Sequence, residues 1–185
     1  MLRQLKFQDV DSKGIWPKLL KDPQAVATVH AEMAYQASKD PEFGKPLEEI
    51  GFLVADGVGL VLGLRLLGQR VRRCSGIETF SNFVKSYPKA PTFLWGAKEE
   101  TLSKAVEKLT RQGLNIVGFQ DGYAGNEDEI MAKIESSGAE VVFVGMGGSP
   151  RQLRLVEKIH RELGIIAMTV GGHLMLSGKA TKRPL

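Results

Sequence analysis

At 185 residues and 20.3 kDa, the chain can build one ordinary domain with a self-sufficient core and is too short for two. Hydrophobic residues at 43% and charged residues at 25% exclude a disordered or collagenous chain, and a single cysteine, Cys74, with three histidines argues against a disulfide scaffold or a protein-built zinc site. The net charge of +4 gives no ground for a nucleic-acid partner, but its distribution is uneven. From Gly57 to Ile77 there is no acid, yet Arg65, Arg70, Arg72 and Arg73 fall there, and Lys179, Lys182 and Arg183 stand unopposed near the end. Such patches suit an anionic ligand or an anionic membrane surface, or are a plain solvated face. The start, Met1 to Lys6, has no secretory pattern, and the apolar stretch from Val58 to Leu67 is broken by Arg65, far short of the ~20 residues of a membrane span. The expectation is a cytoplasmic protein, with any membrane contact peripheral.

In chain order, residues 1–24 are the least defined by pattern. Asp11-Ser12-Lys13-Gly14 reads as a turn, and Ile15 to Leu20 as a short helix or an irregular cover segment. From Ala25 onward, short apolar runs alternate with glycine-containing turns and helix-like stretches, so 25–185 reads as one domain. The runs lie at 25–29, 50–55, 92–95, 115–119, 141–144 and 165–170. Helical spacing is clearest at Leu102, Val106 and Leu109 within 100–112, and at Leu153, Leu155, Val156, Ile159 and Leu163 within 150–163. Continuously apolar strands alternating with helices predict an α/β fold: a single Rossmann-like domain with a mostly parallel sheet of about six strands flanked by helices.

In open parallel sheets ligands sit beyond the carboxyl ends of the strands, so the strand ends carry the functional reading. The fifth run leads into Gly145-Met146-Gly147-Gly148-Ser149-Pro150. Ser149 suits an N-cap, Pro150 suits the first helical position, and the glycines let a ligand approach the backbone, which together describe an anion cradle. A tight strand-to-helix turn without a ligand has the same pattern, and neither a P-loop nor a GxGxxG fingerprint is present. Arg151 and Gln152 in the first turn add a charge and an amide. Asp56, ending the second run beside Gly57 and Gly59, is placed either to take a proton from a hydroxyl or bind a sugar, or to cap a helix. Thr28 and His30 follow the first run, and Gly171-Gly172-His173 follow the sixth. Asp9-Val10-Asp11 has the form of a metal-binding triplet but is too short to carry weight, Glu127-Asp128-Glu129 reads as an acidic first turn of a helix, and Cys74 has no clear partner base.

The succession Ala27-Thr28-Val29-His30-Ala31-Glu32-Met33, Ala55-Asp56-Gly57-Val58-Gly59, Arg73-Cys74-Ser75-Gly76-Ile77-Glu78, Phe93-Leu94-Trp95-Gly96-Ala97, Ile116-Val117-Gly118 with Asp121-Gly122-Tyr123, Val144 through Gln152, and Val170-Gly171-Gly172 to Pro184 resembles the WecG/TagA/CpsF glycosyltransferases over residues 25–184. The resemblance implies an inverting, metal-independent glycosyltransferase with no cofactor. It would move a sugar like N-acetylmannosamine from a UDP-sugar to a polyprenyl-diphosphate-linked sugar in bacterial cell-surface polysaccharide or teichoic acid synthesis. It implies Asp56 as the catalytic base and Thr28 as its active-site companion. Arg73, Gly147, Gly148, Ser149, Arg151, Gln152, Gly171, Gly172 and His30 are then the substrate-binding set. The implied location is peripheral, at the inner face of the plasma membrane, with self-association a further expectation. Val29-His30 stand where the family usually has Pro-Asn, Glu78 where it has Asp, and Leu153 where it has Glu. The Arg- and aromatic-rich C-terminal membrane segment of typical members is expected to be lacking. The alternative is a divergent, non-catalytic nucleotide-sugar-binding or assembly protein.

Overall fold

The computed structural model describes residues 2–171; Gly172, His173 and the basic group Lys179, Lys182 and Arg183 lie outside them. The elements in chain order are α1 (Ile15–Lys21), β1 (Ala25–Val29), α2 (Ala31–Lys39), α3 (Pro41–Glu49), β2 (Phe52–Ala55), α4 (Val58–Leu66), α5 (Gly76–Ser86), β3 (Thr92–Gly96), α6 (Glu99–Arg111), β4 (Ile116–Gln120), α7 (Glu127–Ser136), β5 (Val141–Gly145), α8 (Pro150–Leu163) and β6 (Ile166–Thr169). The six strands form one sheet in the order β2-β1-β6-β5-β3-β4, and every pairing is parallel. The expected fold class is the observed one.

The apolar runs become buried parallel strands because helices cover both faces. Side chains of α2, α3, α4, α7 and α8 pack one face with Ala25, Ala27 and Val29, while α1, α5 and α6 pack the other with Val26, Val54 and Phe143. Handedness explains the division for α2, α3, α5, α6, α7 and α8: right-handed crossovers running one way along the sheet place their helices on one face, and those running the other way place them opposite, while α4, in the same connection as α5, packs on the face opposite to it. The loop leaving β5 therefore turns to one face and the loop leaving β3 to the other, creating a switch point between neighbours. There Gly96, at φ 142°, lies so close to Gly145 that a Cβ would fall inside the facing carbonyl group.

The segment before β1 is a packed part of the same unit. Phe7 forms an isolated bridge with Leu53, and Leu5 and Phe7 are buried. The stretch from Ile15 is helical, with Ile15, Trp16 and Leu19 all at 1% exposure or less. Burial of such side chains contributes about 1.5–3 kcal/mol each. Trp16 stacks near Phe83, and its Nε1 donates to the Thr79 carbonyl at 2.9 Å, tying this segment to α5.

Candidate active site

The parallel register of β1 and β2 pairs Thr28 with Val54 and Val29 with Ala55, and the Asp56 N–H then donates to the Val29 carbonyl at 2.8 Å. Because side chains alternate along a strand, Asp56 and Thr28 project to the same face, the one covered by α5. The Cys74 N–H donates to the Ala55 carbonyl at 2.8 Å, which brings the start of α5 against the end of β2. The Gly76 N–H then donates to Asp56 Oδ2 at 3.1 Å. Asp56 is thus a capping acceptor, but for α5 and not for α4, the helix that follows it; α4 has Gly57 at its N-cap and no side-chain cap. The other carboxylate oxygen, Oδ1, has no hydrogen-bond partner among the described residues. A Cβ on Gly76 would lie 3.4 Å from Thr28 Oγ1 and 3.5 Å from Asp56 Oδ2, so the glycine keeps this corner open. Thr28 is fixed from the other side by Thr169, whose Oγ1 accepts the Thr28 N–H at 2.9 Å, while Thr28 Oγ1 donates to the Thr169 carbonyl at 3.2 Å.

Two strands along, Gly147 and Gly148 both take φ of 73°, a left-handed conformation that glycine adopts without strain. Ser149 is the N-cap of α8, accepting the Gln152 N–H at 3.3 Å, and Pro150 opens the helix, as the spacing predicts. Gln152 is 2% exposed and uses its amide completely. Its Oε1 accepts from the N–H groups of Met146 at 3.0 Å and Gly148 at 2.8 Å, and its Nε2 donates to the carbonyls of Val144 at 2.9 Å and Val170 at 3.1 Å. An amide has two acceptor and two donor positions, so this side chain shapes the glycine loop and has none left for a ligand. His30 is the N-cap of α2, its Nδ1 accepting the Met33 N–H at 3.2 Å. With Nδ1 an acceptor, the neutral ring carries its proton on Nε2, which lies 3.7 Å from where a Gly148 Cβ would be. Asp56, Thr28 with His30, Thr169 with the exposed Gly171, and the Gly147–Ser149 loop thus line the carboxyl ends of β2, β1, β6 and β5, four strands adjacent in the sheet.

The arginines divide sharply. Arg72 pairs with Asp9 at 3.0 Å and Asp11 at 3.1 Å, which gives the Asp-Val-Asp triplet a structural occupation. Asp11 is held below the usual carboxylate range by the Gly14 and Lys13 N–H groups, with Arg72 adding to the effect. Arg73, exposed beside the start of α5, has a 3.4 Å ion pair to Glu78. Arg151 turns away from the glycine loop, its Nε donating to Glu127 at 3.0 Å and an NH1 to the Gly122 carbonyl at 2.8 Å, bracing α7 and the loop after β4. Cys74 is fully buried, and burial pushes its thiol up, the opposite of an activated nucleophile. A groove of about 400 Å³ between α3, α7 and α8 contains none of the β1 or β2 end residues, and its Arg151, Arg154, Lys158 and Arg161 are each paired with a carboxylate. Thr169 and Gly76 join the site without having been singled out as ligand residues. The Thr-Thr pairing spans 141 residues of chain, beyond any local pattern, whereas Gly76 had a readable signal in Ser75-Gly76 opening an amphipathic helix.

A fully parallel sheet whose polar side chains gather at its carboxyl edge defines an α/β protein with its candidate site at the strand ends. The chain belongs to the glycosyl transferase WecG/TagA/CpsF family, whose sequence profile matches residues 4–185 and so takes in the N-terminal segment that the motif resemblance left out. It is similar to two proteins named N-acetylglucosaminyldiphosphoundecaprenol N-acetyl-beta-D-mannosaminyltransferase. That of Bacillus spizizenii is 26% identical over 165 residues, 86% of this chain and 64% of the relative. That of Bacillus subtilis is 29% identical over 151 residues, 79% of this chain and 58% of the relative. The chain therefore spans about three-fifths of the length of these relatives. No helix among the described residues is long and apolar enough to cross a membrane.

Proposed function

We propose that the chain is an inverting glycosyltransferase. It moves an N-acetylmannosamine-like sugar from a UDP-sugar to a hydroxyl of a polyprenyl-diphosphate-linked sugar, without a metal. The relatives' names support the transferred sugar and the class of acceptor. The observation that carries the mechanism is the Asp56 carboxylate, anchored through Oδ2 on the Gly76 N–H and open at Oδ1. In the reaction Oδ1 takes the proton of the acceptor hydroxyl as its oxygen bonds to the anomeric carbon. The bond from that carbon to the diphosphate breaks on the opposite side, and the electron pair leaves with UDP. Thr28, fixed by Thr169, holds the acceptor beside Asp56. The left-handed Gly147-Gly148 turn, the N-terminus of α8, His30 Nε2 and Arg73 face the charge developing on the diphosphate, a role that positioned N–H donors and cations fill in place of a metal. Arg151 and Gln152 serve the same end indirectly by bracing the loops.

The test is calorimetric titration of UDP into the protein in EDTA. Saturable binding, weakened about tenfold in Arg73→Ala by loss of a charge-assisted contact, is the expected result. Absence of binding with and without added divalent metal overturns the reading, and unchanged affinity in Arg73→Ala removes that residue from it.

A further inference from the structure

We infer that α4 is a membrane-docking helix that seats the protein on an anionic lipid surface beside Asp56. Its sequence, VGLVLGLRL, is apolar around nearly the whole circumference. A helix of that kind belongs in a core or against lipid, and this one is only half in the core. Leu60, Val61 and Leu64 are buried, while Val58, Leu62 and Leu66, spaced at four residues and so on one stripe, are 62%, 53% and 90% exposed, followed by exposed Leu67. Isolated exposed apolar residues are ordinary, but four on one helix and its C-cap form a patch that water does not favour.

Charge selects the occupant. Arg65 lies on the same exposed side as Val58 and Leu62, and Arg70 follows the turn at Gly68; both are exposed and neither has an ion pair among the described residues. Arg72 and Arg73 of the same acid-free stretch have carboxylates beside them in Asp9, Asp11 and Glu78, so Arg65 and Arg70, the two that flank the apolar stripe, are the cations of this stretch without an ion pair among the described residues. An apolar stripe rimmed by free arginines complements the acyl boundary and phosphates of an anionic leaflet. A second copy docked symmetrically on this face would bring the same unpaired cations together. The location follows the transferase reading and rests on it: α4 begins two residues after Asp56, so a lipid-linked acceptor with its sugar at Asp56 has an apolar, cationic surface next to it for the bilayer from which it comes.

The experiment is flotation of the protein with vesicles of phosphatidylglycerol and phosphatidylcholine, against pure phosphatidylcholine, with light scattering in parallel. Binding to the anionic vesicles is expected, falling on the order of tenfold in the exposed-site variant Leu62→Ser/Leu66→Ser and roughly fivefold for each of Arg65→Gln and Arg70→Gln. Circular dichroism and UDP affinity should match the unmodified protein in all of them. No vesicle binding, or binding that Leu62→Ser/Leu66→Ser leaves intact, overturns the inference. So does a dimer that this variant dissociates while vesicles are ignored, which would make the face a self-association surface. Failure of the transferase reading is separate, since it registers as absence of UDP binding in the unmodified protein without any vesicle.

Discussion

The turn at Asp56 and the turn from Gly145 to Ser149 leave the same edge of the sheet, and both lead from a buried strand into a helix, yet they use their polar groups in opposite ways. In the glycine turn the Gln152 amide satisfies two N–H groups and two carbonyls, so nothing on that side chain is free and the product is a shape: left-handed glycines presented in front of α8. In the Asp56 turn one oxygen accepts a single N–H, and the other has no partner among the described residues. In the proposed mechanism the first region supplies form and the second supplies reactivity. A binding site needs both, because an open carboxylate is useful only if the leaving group is held at a fixed place.

Removing the interior amide should break the contrast most visibly. Gln152→Leu keeps the volume but removes four hydrogen bonds and leaves the N–H groups of Met146 and Gly148 and the Val170 carbonyl without their side-chain partner, while the Val144 carbonyl keeps the Val170 N–H; unfolding in urea should show a loss of about 3 kcal/mol, with weaker UDP binding. A loss below about 1 kcal/mol would mean that the loop holds itself. Gly76→Ala sharpens the comparison from the other side. The new methyl, in contact with Thr28 and Asp56, crowds the open corner while adding a better helix former, so transfer should fall about tenfold with stability unchanged or slightly raised. Full activity in that variant would show that the acceptor does not enter there. The smallest effect concerns the N-terminal clamp. The folded-state pKa of Asp11 is depressed, so its charge contributes stability above the usual carboxylate value of 3.8, and that contribution fades as pH falls through the folded value. Asp11→Asn should lower the urea midpoint slightly at neutral pH, and the gap should close in acid.

The strands were legible because burial on both faces writes them as unbroken apolar runs. Their ends were less so. The second strand begins at Phe52 and not at Ile50, because the Ile50 N–H is still closing α3 on the Pro46 carbonyl. Asp56 could be read as a base or a cap, and the structure makes it an acceptor for a helix that starts 20 residues later, which no local pattern encodes. The N-terminal segment was the largest omission. Ser12 donates to the Ser75 carbonyl, Asn82 to the Ser12 carbonyl, and Asp9 accepts from Arg72, so the segment clamps the chain that leads into α5. It does so through irregular backbone and contacts more than 60 residues apart, where periodicity carries no signal. Arg151 and Gln152 were visible as polar residues near the loop, but their commitment to Glu127, Gly122 and the loop backbone depends on tertiary neighbours.

The central claim is that the free oxygen of Asp56 takes the proton of the acceptor. It is tested most directly by measuring sugar transfer from a UDP-sugar to a polyprenyl-diphosphate-linked acceptor in the unmodified protein and in Asp56→Asn, alongside UDP affinity. Asparagine can still accept the Gly76 N–H, so the account predicts the same UDP affinity and the same fold with transfer reduced by about 10² to 10⁴. Equal transfer rates in the two proteins would contradict it, and UDP binding without transfer in the unmodified protein would favour a non-catalytic relative that kept the nucleotide site.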